Sequence, residues 1–224
     1  IISSVLATYN AAAFPADKQP SKLADFFDLK NFPGRRGINN HARSTLEMTL
    51  LATGVSSDKL YEVLGTEEGV ARAFKKLDTI KDSIVFFDAW SQPAQLMNDG
   101  EVTMTMGTNA RVAAAAEEHG KPFKLIWDGA SQSGDYWSIV TGSNVDAAYE
   151  FLKYSVKDEP QAEWPNHFRY SPTVKSAISK IPPHVAKDLV SGPGNGKNSY
   201  KQNVQFWAEH LEDYEVRFSA WAAK

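Results

Sequence analysis

Asp135 stands between Gly134 and the aromatic pair Tyr136-Trp137, where its carboxylate could take a ligand ammonium through a charge-assisted hydrogen bond. A turn aspartate that satisfies its own backbone would occupy the same setting, so the residues alone leave both readings open. Thr108 and Asn109 follow the alternating run Val102, Met104, Met106 and fall at the carboxyl end of a predicted strand. Open α/β sheets gather small ligands outside such ends, within reach of short polar side chains. Trp90 and Trp137 offer ring faces to a cation and suit a core or a rim equally well. The chemistry in view is capture of a solute.

Catalytic patterns fall short. Gly192-Pro193-Gly194-Asn195-Gly196-Lys197 invites a phosphate-loop reading, but Ser191 stands where glycine is required, Asn198 where a hydroxyl is required, and no apolar strand precedes it. Gly129-Ala130-Ser131-Gln132-Ser133-Gly134 resembles a nucleophile elbow only loosely, since Ser133 replaces the second glycine. The five histidines, His41, His119, His167, His184 and His210, form no i, i+4 pair of the kind that grips zinc. Glu67-Glu68 and Glu117-Glu118 are neighbours in sequence, yet adjacent helical residues point about 100° apart and share no proton. We therefore expect no enzyme, no metal and no cofactor.

Composition narrows the partners. The chain has 224 residues, 42% of them hydrophobic, which suffices for one complete lobe and part of another. A net charge of −3 without clustered Lys and Arg argues against nucleic acid. No run reaches the roughly 18 apolar residues of a membrane span, so direct membrane insertion is not expected. The absence of cysteine excludes disulfides. The start Ile1-Ile2-Ser3, with no methionine and no charged and apolar regions of a signal peptide, reads as an internal cut.

Alternation of helix and strand predicts an α/β layered domain with a mostly parallel sheet. Strands are expected at residues 5–9, 84–87, 102–106, 123–127 and 136–140, with 128–134 a polar loop. Gly37-Ile38-Asn39 leads into a helix capped by Ser44, with Leu46, Leu50 and Leu51 as its stripe and Gly54 at its end. Further helices are expected at 60–64, 66–80, 111–119, 145–156, 160–168 and 174–178. The last, 206–221, carries Trp207, Leu211, Tyr214, Phe218 and Trp221 at spacings of 4, 3, 4 and 3.

Several segments in order carry a family resemblance: Phe26-Phe27-Asp28, Phe32-Pro33-Gly34-Arg35-Arg36, Asp99-Gly100-Glu101-Val102, Gly134-Asp135-Tyr136-Trp137-Ser138-Ile139, Ala147-Ala148-Tyr149-Glu150-Phe151 and Arg169-Tyr170-Ser171-Pro172-Thr173. Together they resemble bacterial extracellular solute-binding proteins of the spermidine/putrescine type. The resemblance implies a type II periplasmic binding protein fold, in which a small solute is caught in an interlobe cleft and delivered to an ABC transporter permease, and it implies export to the periplasm. It divides the chain into a hinge strand (1–9), an α/β lobe (10–131), a second crossing (132–140) and the mainly helical C-terminal part of the other lobe (141–224), whose last helix can pack back on the α/β lobe. It also gives Asp135 the role of amine ligand and sets Tyr170 at the cleft border. Departures point to a smaller or less cationic solute than spermidine. Thr108 and Ser133 stand where the polyamine binders carry tryptophans, and His41 and Ser44 where they carry acids. An amino acid or an opine is the alternative ligand, and a sensory binding module the alternative role.

Overall fold

A computed structural model describes residues 1–224. The first extended stretch serves two sheets, with β1 (Ile2–Ser3) and β2 (Val5–Asn10) separated by Ser4. An α/β body follows: β3 (Arg36–Asn39), α1 (Ala42–Leu51), α2 (Leu60–Leu64), α3 (Glu67–Asp78), β4 (Ile84–Phe87), α4 (Gln92–Asn98), β5 (Met104–Thr108), α5 (Asn109–Glu118) and β6 (Phe123–Ile126). The remainder comprises β7 (Ser131–Gly134), α6 (Val145–Ser155), α7 (Asp158–His167), α8 (Lys175–Ile178), α9 (Pro183–Ala186), β8 (Tyr200–Lys201) and α10 (Val204–Ala222).

The main sheet has the order β4-β3-β5-β2-β6. β3 runs parallel to β4 and β5, whereas β2 is antiparallel to both β5 and β6. The expectation of a mostly parallel sheet is thus corrected to a mixed one. Helical crossovers set β3, β4, β5 and β6 in one direction, as such connections must. β2 enters from the small sheet instead, runs the opposite way and inserts between β5 and β6.

Burial on both faces follows from that layering. Alternate residues of β2 point to opposite sides: Ala7 and Tyr9 join a core of 28 buried residues that includes Leu46, Leu50 and Leu77, while the Thr8 hydroxyl meets the Met97 sulfur. Met97, Val102, Val112 and Phe123 form a smaller cluster under α4 and α5. α10 closes the larger core with Trp207, Tyr214, Phe218 and Trp221, all buried. Its polar tips are anchored too: the Tyr214 hydroxyl donates to the Leu64 carbonyl at 2.7 Å, the Trp221 indole to Asp78 at 2.7 Å, and Arg217 pairs with both oxygens of Glu67. Leu211, expected in the same stripe, is instead 39% exposed.

The second sheet, ordered β1-β7-β8, reverses one expectation. Residues 131–134, read as loop, form β7, and residues 136–140, read as strand, have no regular structure. Backbone pairing decides this: β1 offers Ser133 a partner in Ser3 and Gly134 one in Ile2, while β8 covers the other edge. No strand lies beside Tyr136 and Trp137, whose high β-propensity therefore goes unused.

The helical remainder packs sparsely. α6 has no buried residue. Tyr136, Trp137, Phe151 and Tyr154 are all more than half exposed and, with Trp164, form one apolar face. No helix is long and apolar enough to cross a membrane.

Two outcomes follow from this packing. Phe218→Ala, which empties a fully buried site in the larger core, is expected to lower the unfolding free energy in urea by about 3–5 kcal/mol. The exposed aromatic face predicts concentration-dependent association in sedimentation. Trp137→Ser combined with Phe151→Ser should weaken that association, and an unchanged profile would place the contact elsewhere.

Candidate functional site

One side chain joins the two sheets to the helical segment. The Asn109 side-chain oxygen accepts from the Ser4 N–H at 3.1 Å, and the Asn109 backbone N–H donates to the Ser4 carbonyl at 3.0 Å. Its amide nitrogen donates to the carbonyls of Asp188, at 2.9 Å, and Arg169. Beside it the Val5 N–H donates to the Ser131 hydroxyl at 2.8 Å. Asn109 is 1% exposed, so its expected contact with a ligand is corrected. It sits at the first position of α5 and is turned into the crossing, where four buried backbone groups would otherwise lack partners.

Next to this crossing lies an open cleft of about 520 Å³. The α/β body contributes Ser44, Trp90 and Thr108 to it, and the other side contributes Ser133, Asp135 and Tyr170. Five of the residues singled out in the sequence as ligand contacts therefore share one concavity, and Trp90 joins them. Trp137 does not. It is 68% exposed and stacks edge-on against Phe151 at 5.3 Å, because the chain leaves β7 at Gly134 and carries the ring to the outer face. Thr108 is the N-cap residue of α5 but makes no side-chain cap, and its buried hydroxyl has no partner within the chain.

The cleft also holds three charged groups that the sequence did not suggest, Arg43, Arg111 and Glu215, together with His41. Glu215 accepts from the Ala42 N–H at 3.1 Å and lies 3.5 Å from His41 Nδ1. Arg43 donates to Gln202 at 2.5 Å, and the Ser133 hydroxyl donates to the same oxygen at 3.1 Å. Neither Arg43, Arg111 nor Asp135 has an ion-pair partner in the chain. Such an arrangement can hold a carboxylate and an ammonium at separate points. Arg43 escapes notice because residues 37–39 read as a lead into a helix. They are a strand, and the loop after it is one of the carboxyl-end loops where ligands collect. Arg111 lies on the first turn of α5, just past Thr108-Asn109.

Ser44 does not cap its helix. It adopts φ 68°, ψ −37°, the only non-glycine residue with positive φ. Its N–H donates to Glu47 Oε2 at 2.5 Å. Glu47 Oε1 accepts in turn from the Trp207 indole at 2.6 Å and the Tyr61 hydroxyl at 2.9 Å. Glu47 is fully buried and has no ion pair, so loss of hydration pushes its carboxyl up to about 7, against the pull of the three donors.

Comparison with known proteins follows the same lines. A sequence profile described as "Bacterial extracellular solute-binding protein" matches residues 2–189. A "Gamma-aminobutyric acid-binding protein" from Pseudomonas aeruginosa is 37% identical over 208 residues, which cover 92% of this chain and 59% of that protein. This chain thus spans about 59% of the length of the curated relative it matches. The PBP MotA from A. tumefaciens B6 in complex with glucopine superposes with a TM-score of 0.85 at 34% identity, covering 99% of this chain and 69% of that one. The PBP AgtB of A. tumefaciens strain R10 in complex with agropinic acid gives 0.81 at 28% identity, covering 100% and 68%. A spermidine/putrescine-binding protein from Streptococcus pneumoniae gives 0.74 at 16% identity, covering 99% and 68%, and shares the fold alone. The mixed α/β architecture is that of the periplasmic binding proteins. The polyamine resemblance is thus corrected to a distant one.

Glu47 gives a pH signature. Its folded-state pKa of about 7 lies above its ordinary 4.5, so the folded chain keeps a proton that the unfolded chain releases. That contribution is present below 4.5 and is lost as pH rises through about 7. Urea unfolding is expected to show stability declining over this window, and Glu47→Gln should remove that decline. An identical slope in the variant would assign it to other groups.

Proposed function

Because the chain belongs to the bacterial extracellular solute-binding protein family, we propose that it captures a small zwitterionic, amino-acid-like solute and serves an ABC importer. The observation that carries this reading is the pair of guanidinium groups, Arg43 and Arg111, free of ion pairs in the cleft that also holds the free carboxylate of Asp135. A solute with a carboxylate at one end and an ammonium at the other satisfies both. A polycation meets repulsion from two arginines, which argues against spermidine and putrescine. The names of the relatives support the choice, since they refer to γ-aminobutyric acid, glucopine and agropinic acid.

In this reading residues 10–131 form one lobe, residues 1–9 and 132–140 are the crossings, and 141–224 belong to the opposite lobe, with α10 returning to the first. Asp135, Tyr170, Thr108, Ser133 and Ser44 are contact residues, with Arg43 and Arg111 holding the carboxylate. Capture precedes closure of the lobes, and the closed form docks on the membrane permease. The site of action is outside the cytoplasm, in the periplasm.

Calorimetric titration tests the reading. γ-Aminobutyrate is expected to bind and spermidine not to. Asp135→Asn and Arg43→Ala should each weaken binding by about tenfold or more, the scale of one lost charge-assisted hydrogen bond. Binding of spermidine that depends on Asp135, without binding of any carboxylate-bearing amine, would overturn it.

A further inference from the structure

We propose that Glu47, which lies beneath the cleft wall and touches no ligand, sets the affinity of the cleft by holding the Arg43–Ser44 turn in place. The inference rests on reading the cleft as the solute site. Its physical basis is the left-handed backbone of Ser44, which an L side chain adopts only where its surroundings impose it. Arg43 is extended, at φ −61°, ψ 138°, so the helix proper begins after Ser44 and the peptide between the two residues aims the guanidinium. Glu47 supplies the acceptor that fixes this peptide through the Ser44 N–H. Without that acceptor Ser44 relaxes toward right-handed backbone and Arg43 swings with it.

The acceptor holds this peptide most firmly when ionised. All three partners of Glu47 donate to it, and the Tyr61 hydroxyl already accepts from the Asn203 N–H at 3.0 Å. A protonated carboxyl would turn one of the two oxygens into a donor and remove the charge from the other, so the Ser44 N–H would lose its charge-assisted hydrogen bond. The groups facing Glu47 are Tyr61 from α2, Tyr200 from β8, the Ser44 N–H from its own helix and the neutral Trp207 from α10. Burial raises both tyrosine hydroxyls, which therefore stay protonated. Glu47 is accordingly the group in this nest that titrates near neutrality, at about 7.

A positioning role makes affinity and stability move in opposite directions. Ionisation of Glu47 tightens the turn while removing the stability held by its proton. A purely structural glutamate would move both together. The test is calorimetric titration of the chain with γ-aminobutyrate from about pH 5.5 to about pH 8.5, beside urea unfolding in the same buffers. Affinity is expected to rise about tenfold across the range as stability falls. Glu47→Gln should bind weakly and without that dependence. Tyr61→Phe, which removes a donor that favours the carboxylate and lies outside the cleft, should shift the midpoint to higher pH while leaving the fold intact. A pH dependence that survives in Glu47→Gln would belong to other groups and would overturn the proposal. If γ-aminobutyrate fails to bind at any pH, it is not the solute of this cleft. The present inference then stands or falls on the Ser44 amide resonance, which must follow the Glu47 titration; a flat response overturns it.

Discussion

The structure turns on a single buried amide. Asn109 offers one acceptor and three donors, counting its own backbone N–H, and each meets a carbonyl or N–H from another part of the chain. An aspartate would lose both side-chain donors, and a serine would be too short to reach Ser4 and Asp188 together. Leaving a buried partner unsatisfied costs about 1–3 kcal/mol, so loss of this one amide is felt at every group it holds. It fixes where the extended segment passes from one sheet to the other, and so fixes how far Thr108 and Arg111 stand from Ser133, Asp135 and Tyr170 across the cleft.

Around that brace the molecule tolerates costs that a purely structural protein would avoid. Two arginines and an aspartate face the cleft without ion pairs, Thr108 leaves a hydroxyl unpartnered, Ser44 is held in left-handed backbone, and Glu47 is buried without a cation. All lie in or directly beneath one concavity.

Sequence patterns carried the layers and missed the joints. The 3.6-residue period of α10 and the alternation in β5 are properties of a single segment, so they can be read without knowing what covers them. β7 is different: Ser131 to Gly134 has neither apolar alternation nor β-branched residues, and it is a strand only because β1 and β8 are there to pair with it. Tyr136 and Trp137 show the reverse, strong strand formers with no neighbour. Asp135, Thr108, Ser133, Ser44 and Tyr170 were picked out by strand ends and family resemblance. Asn109 shared the same pattern, yet its side chain answers to the crossing. Gln202, Leu211 and Glu215 come to the cleft from a segment beyond residue 189, where the family profile ends, and no local pattern ties them to residues around 43.

The placement of β2 bears on how the chain reaches this state. Val5 to Tyr9 sits at the heart of the main sheet, but its hydrogen-bonding neighbours are residues 104–108 on one edge and 123–126 on the other. During synthesis this strand emerges ahead of both partners and must wait, apolar and unpaired, until roughly a hundred more residues have followed. Pairing across such a separation closes a long loop and is slow. The waiting strand is a target for holding factors, and refolding should be limited by its insertion between β5 and β6.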